Sequence, residues 1–225
     1  MKNVIVTGTG KGIGFETALQ LANQNINVLA LSRNIRLELA QHPNITCLSV
    51  DLADAEAFST IRYFLENDWK HVDAIIHNAG SLVLKPFAET TLEDFINVYT
   101  VNVFAVTQLN NVVLPFMKSG GHVVTISSIG GVQGSVKFAG LSAYSSSKGA
   151  VITLSELLAE EYRERGISFN VLALGSVQTE MLATAFPGYE APISAADMAS
   201  YIANFTLTGN KFYNGKVLQV SSTTP

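Results

Sequence analysis

Short, nearly continuous apolar runs recur along the whole chain, separated by stretches of helical patterning. Nothing else in the sequence constrains the fold as much. The runs lie at 3–7 (NVIVT), 26–31 (INVLAL), 45–50 (ITCLSV), 72–77 (VDAIIH), 121–126 (GHVVTI), 167–173 (ISFNVLA) and 216–220 (KVLQV). Most lack the apolar–polar alternation of a half-exposed strand, so they suit strands covered on both faces. Between them, Phe15, Ala18, Leu19 and Ala22 form one apolar helix face. Thr91 with Asp94 and Ser194 with Asp197 are spaced as capping-box helix starts, and Gly166 is a natural helix stop.

Strands alternating with helices predict an α/β fold: a doubly wound, Rossmann-like parallel sheet of about seven strands with helices on both faces. Ligands of such sheets bind beyond the carboxyl ends of the strands, where the strand order reverses. No repeat, low-complexity tract or linker interrupts residues 1–225, so a single domain is expected.

Composition narrows the function classes. The chain is 48% hydrophobic and only 14% charged, which implies extensive burial in its own core or in subunit contacts. Fourteen Lys and Arg against 18 Asp and Glu give a net charge of −4, with no basic field for nucleic acid or anionic lipid. Cys47 is the only cysteine, so an internal disulfide and a zinc cage are both excluded; its apolar run makes it a core thiol. The opening MKNVIVTG enters a strand at once, without signal-peptide anatomy. The stretch 95–117 carries Asn97, Asn102, Gln108, Asn110 and Asn111, amides too costly for hydrocarbon, and is expected to be a buried or interfacial helix. A cytoplasmic protein with no membrane segment and no metal is expected.

Two motifs carry chemistry. After the first strand comes TGTGKGIG, 7–14, with Gly8, Gly12 and Gly14 ahead of the helix that bears Phe15. Glycines there let the backbone turn tightly and approach a pyrophosphate, which the helix N-terminus attracts. A bare glycine-rich turn would look similar, but the strand–helix junction is the context that favours nucleotide binding. The second motif is AYSSSKGA, 143–150, which opens a helix expected over 142–166. At about 100° per residue, Tyr144, Lys148, Val151, Ser155, Leu158 and Tyr162 share one face. Tyr144 and Lys148 therefore extend a largely apolar, sheet-facing stripe, an unusual place for a solvated lysine. A phenol of reference pKa about 10 gains acidity from a cation one turn away, so the pair suits proton transfer to a carbonyl oxygen.

TGxxxGxG and YxxxK together resemble the short-chain dehydrogenase/reductase family over nearly the whole chain. Thr7 to Gly14, including Thr9, Lys11 and Ile13, matches the family's cofactor loop. Asp51, followed by Leu52, matches its adenine-contacting Asp. Asn78, Ala79 and Gly80 match its NAG motif, and Asn102, Ser128, Tyr144 and Lys148 match its catalytic tetrad. The resemblance implies a proton from Tyr144, nicotinamide ribose held by Tyr144 and Lys148, alkoxide contact from Ser128, and a relay water held by Asn102. Ser127 competes with Ser128, and Asn102 has the alternative of a satisfied interfacial amide. Ser32 stands where the family's NAD-selective Asp would be, followed by Arg33; with Lys11 this favours NADP(H), unless both cations are ordinary solvated charges. Gly175, Val177 and Thr179 fit the nicotinamide-side loop.

Several departures from the family pattern bear on the substrate. His77 replaces a usual Asn and is expected to be buried and hydrogen-bonded. Leu174 replaces a usual Pro. The loop from Ser128 to Tyr144 is longer than usual, the lid at roughly 180–193 is short, and NGKVLQVSSTTP lacks the usual glycine-rich ending. The expectation is an NADP-dependent enzyme reducing a ketone to a secondary alcohol, with a 3-oxoacyl thioester as leading substrate; a non-catalytic NADP-binding regulator is the alternative. The helices at 91–117 and 143–165 are expected to join subunits in a homotetramer or homodimer.

Overall fold

The computed structural model describes residues 1–221; Ser222 to Pro225, the end of the glycine-poor tail, lie outside the described residues. In chain order the elements are β1 (Asn3–Thr7), α1 (Gly12–Asn23), β2 (Asn27–Ser32), α2 (Leu37–Ala40), β3 (Ile45–Ser49), α3 (Ala55–Phe64), β4 (Val72–His77), α4 (Leu92–Tyr99), α5 (Ala105–Val113), β5 (Met117–Ser128), α6 (Ser142–Glu161), β6 (Ser168–Leu174), β7 (Val177–Gln178), α7 (Glu180–Ala185), β8 (Ile193–Ser194), α8 (Ala195–Thr208) and β9 (Lys216–Val220).

Seven strands form one sheet in the order β3-β2-β1-β4-β5-β6-β9, and every pairing is parallel. The order reverses between β1 and β4, so Thr7 and His77 mark the two lips of the crevice where such a sheet binds ligands. Successive side chains of a strand face opposite sides. Val4 and Val6 accordingly pack with Ala18 and Leu21 of α1 and Ile202 of α8, whereas Ile5 packs with Ile61 of α3 and Leu109 of α5. The expected doubly wound architecture is the one observed.

The differences from the sequence reading are local. The strand expected over 121–126 runs from Met117 to Ser128, because Val72 pairs with Met117 ahead of a register shift. The small and polar stretch Lys118–Gly121 hides that extension from any apolar pattern. The helix starting at Thr91 does have its reciprocal capping box with Asp94. It does not run unbroken to 117: a π-helical turn at Thr100–Phe104 separates α4 from α5, and a 3-10 turn follows at Leu114–Phe116. The helix expected over 142–166 ends at Glu161 and continues as turns that stop at Gly166, in the left-handed region at φ +66. The two-residue pair β7–β8 is too short to show any periodicity and was not anticipated.

Candidate active site

The crevice is built around Thr7. Its hydroxyl accepts from the backbone N–H groups of Asn78 (3.0 Å) and Ala79 (2.9 Å), and the Asn78 amide donates to the Thr7 carbonyl at 2.9 Å. The NAG segment is thereby fastened to the start of the glycine loop. Gly8 turns there at φ +75, and a Cβ on it would lie 2.8 Å from Ala79 Cα; a Cβ on Gly14 would collide with the Gly8 carbonyl. Side chains at these two positions would force the loop and the NAG segment apart. The sequence pointed to the glycines but not to this threonine hub.

Two further features test whether a dinucleotide fits. Thr9 Oγ1 is fully buried among the loop atoms and has no hydrogen-bond partner, an orphan that calls for a ligand or a shift of the loop. Above the N-terminus of α1, a cleft of about 460 Å³ is lined by Lys11, Gly12, Arg36, Thr179 and Glu180. A Cβ on Gly12 would be 3.5 Å from both Glu180 and Thr179, so the lid stands just off the loop. Glu16 also lines the cleft, so Lys11 and Arg36 face two carboxylates there, and it is the bare backbone at the helix N-terminus that fits an anionic dinucleotide. Ile13, in the first turn of α1, packs beneath against the core.

On the adenine side, the Ser32 hydroxyl donates to the Asn34 carbonyl at 2.9 Å, and Arg33 and Lys11 are exposed. Asp51 is also exposed; its carboxylate accepts from Ala53 N at 3.0 Å ahead of α3, while Leu52 packs on the core. Arg36, not singled out in the sequence, stacks over Phe15 with Cζ 5.2 Å from the ring centre and pairs with Glu38 at 3.1 Å. On the nicotinamide side, Gly175 N donates to Val220 O at 3.0 Å, Val177 is buried, and the Thr179 hydroxyl caps α7 by accepting from Leu182 N.

Ser128, Tyr144 and Lys148 converge at the end of β5 and the first turns of α6. Ser128 Oγ accepts from Gly130 N at 3.2 Å, which fixes the hydroxyl. Ser127 is committed elsewhere: it donates to the Lys148 carbonyl at 2.9 Å from a buried position. A Cβ on Gly131 would sit 2.6 Å from the Lys148 carbonyl carbon, so the segment after Ser128 lies directly against α6.

One expectation about this cluster needs correction. The Tyr144 pKa is raised rather than lowered. The Lys148 Nζ donates to the Ile126 carbonyl at 2.8 Å and lies 5.8 Å from the centre of the Tyr144 ring, facing the ring rather than the hydroxyl. Burial raises the Tyr144 pKa, and a hydrogen bond with Ser128 opposes that rise. Burial also lowers the Lys148 pKa to about 8. Asn102 is a satisfied amide: it donates to Ser81 O and to the Ser147 hydroxyl, both at 2.9 Å, and accepts from Ser81 N at 2.7 Å. It sits in the π-helical turn, whose widened geometry presents the amide to the loop after β4. A Cβ on Gly80 would be 3.6 Å from both Asn102 Oδ1 and Lys148 Nζ, so the three come together at one spot. Ser81 and Ser147, which complete this link, gave no signal in the sequence.

His77 is buried as expected, 2.8 Å from Asn110 Oδ1 through Nε2. Burial is the main cause that pushes its pKa down to about 4, with nearby Lys148 adding to it. Cys47 is half-buried against the core, and burial raises its pKa. Among the described residues there is no group of three potential metal ligands, and no helix is long and apolar enough to cross a membrane.

The profile described as short chain dehydrogenase matches residues 2–190. The chain belongs to the short-chain dehydrogenase family. This family binds nicotinamide cofactors, and its members are oxidoreductases. The chain is similar to carbonyl reductase (NADPH) 2 of Sus scrofa, 34% identical over 180 residues that cover 79% of this chain and 72% of that relative. A short chain dehydrogenase from Salmonella enterica serovar Typhi superposes with a TM-score of 0.87 at 28% identity, covering 97% of this chain and 95% of that one. Another, from Burkholderia cenocepacia in complex with NADP, has a TM-score of 0.87 at 26% identity and covers 98% of this chain and 96% of that one. The candidate site residues lie inside the matched residues, whereas β8, α8 and β9 lie outside them.

Proposed function

We propose that the protein is an NADP(H)-dependent reductase that converts a ketone to a secondary alcohol. The observation that carries this is the meeting of a half-buried Tyr144, whose pKa is raised, with the fixed Ser128 hydroxyl beside buried Lys148, opposite the backbone cradle of Gly8, Gly12 and Gly14. When bound, reduced nicotinamide supplies the hydride. The chain's own residues do the rest. Ser128, whose oxygen already accepts from Gly130, directs its proton toward a carbonyl oxygen and steadies the developing alkoxide. Tyr144 gives that oxygen its proton; a phenol held protonated by burial is poised as a general acid. Lys148 leaves Ile126 O to hold the ribose hydroxyls, and Asn102 keeps the loop at Ser81 in place, beside a relay water. Lys11, Arg33 and Ser32 face the 2′-phosphate, Asp51 and Leu52 the adenine, and Gly175, Val177 and Thr179 the nicotinamide. A 3-oxoacyl thioester is one ketone such a centre can reduce.

Tyr144→Phe tests this. It should leave the fold and NADPH affinity nearly intact while lowering turnover by about 10²–10⁴-fold, the usual worth of general acid catalysis. Near-wild-type reduction by Tyr144→Phe, followed by NADPH absorbance in stopped flow, would sink the mechanism. A non-catalytic regulator instead predicts no turnover in the wild type. Exposed Leu92, Ile96 and Phe104 by the π turn, and Leu157 on α6, further support a homodimer or homotetramer through those helices. A monomeric mass by light scattering in a fully active sample would refute it. No localisation beyond the expected cytoplasm is proposed.

A further inference from the structure

Three segments carry apolar side chains at their tips, one following β4, one joining Ser128 to Tyr144 between β5 and α6, and one following α7. After β4 come half-buried Leu82 and Val83 and exposed Leu84; after β5, exposed Val136 and Phe138; after α7, Phe186 and exposed Tyr189. The three segments touch one another. Lys85 N donates to Gly140 O at 3.0 Å, and a Cβ on Gly140 would lie 2.9 Å from Leu84 Cδ1. Phe138 meets Phe186 edge-on with ring centres 6.1 Å apart, and Tyr189 N donates to Phe186 O.

The cations on these segments are already engaged. Lys85 Nζ is 2.8 Å from both oxygens of Asp94, and Lys137 donates to Val132 O at 2.6 Å and to Ser135 Oγ at 2.7 Å. A phosphate-bearing carrier would therefore meet cations that must first be freed from these partners. A sugar would face hydroxyls toward aromatic and aliphatic side chains that cannot bond them.

Resting on the reductase function proposed above, we infer that the substrate is a small, uncharged ketone with an apolar arm. The arm lies along Leu84, Phe138 and Phe186 while the carbonyl oxygen meets Ser128 and Tyr144. The chemistry is unchanged: the carbonyl carbon gains a hydride, the oxygen gains the Tyr144 proton, and the products are a secondary alcohol and oxidised cofactor.

A ladder of 2-butanone, 2-hexanone and 2-octanone tests this, with acetoacetyl-CoA and xylulose as rivals. NADPH oxidation gives kcat/KM, and calorimetry gives ketone binding to the NADP⁺ complex. Both should improve about two- to fourfold per added methylene. Phe138→Ser should raise KM for 2-octanone more than for 2-butanone and so flatten the ladder. A flat or falling ladder, or a higher kcat/KM for acetoacetyl-CoA or xylulose than for 2-octanone, overturns the inference. Graded binding without turnover supports the apolar site and defeats the reductase proposal instead. If neither turnover nor graded binding occurs, the apolar site itself is refuted.

Discussion

The crevice at β1 and β4 and the loops over the substrate side are held together in opposite ways. Around Thr7, part-buried hydrogen bonds tie side chains to backbone, and two glycines allow no atom to spare. Across the site, Phe138 and Phe186 touch only through ring edges, and Val136, Phe138 and Tyr189 keep much of their surface in solvent. The first region is organised before any ligand arrives, which lowers the ordering cost of binding. The second makes contacts that can rearrange without leaving a buried polar group unpaired. A shared cofactor suits the first construction, and a changeable substrate the second.

Acid should break the rigid region most. His77 on β4 and His122 on β5 are both buried, and burial pushes each pKa down to about 4. The unfolded chain takes up these protons near its ordinary value of 6.5, whereas the folded chain resists them until about 4. Stability is thus complete above the unfolded pKa and declines as pH falls through the window from 6.5 toward 4. Between pH 7.5 and 5 the expected loss is about 2 kcal/mol per histidine. Urea melts at the two values measure it, and His77→Asn should remove about half. An unchanged melt would show that the histidines titrate normally.

Thr7→Val is next. It leaves the N–H groups of Asn78 and Ala79 without their acceptor and should cost about 3 kcal/mol, at about 1–3 kcal/mol per buried group. Phe138→Ser, in the looser region, should change stability far less. Equal losses in thermal melts would erase the contrast between the two regions.

How legible each region was follows from what held it. Gly8, Gly12, Gly14, Tyr144 and Lys148 were readable because backbone conformation and helical spacing leave marks in one dimension. Thr7, Ser81 and Ser147 were not, because their partners lie in other elements: Asn78 and Ala79 for Thr7, Asn102 for the two serines. The seven parallel strands followed from continuous apolar runs, but the π turn at Thr100–Phe104 did not, since residues on either side keep helical spacing. The lowered Tyr144 pKa was expected from proximity alone; the direction of Nζ, toward Ile126 O, is a tertiary fact.

The smallest effect probes the adenine side of the crevice. Arg33→Ala should weaken NADPH about ten- to a hundredfold, as the loss of a charge-assisted contact implies, with NADH much less affected. Titration calorimetry with both cofactors checks it. Equal weakening would transfer the 2′-phosphate to other cations, with Arg36 over Phe15 the first to examine.

The position of β1 has a consequence for how the chain is made. It pairs with β2 on one side and with β4 on the other, and the Val4–Ala74 partnership spans a long loop of chain. During synthesis the N-terminal strand must wait, apolar and unpaired along one edge, until β4 has been translated. Such distant parallel pairing slows folding and lengthens exposure to aggregation. Newly made protein should therefore depend on chaperone occupancy of its first strands, and variants that delay β4 should be lost as aggregates before they can be assayed as enzymes.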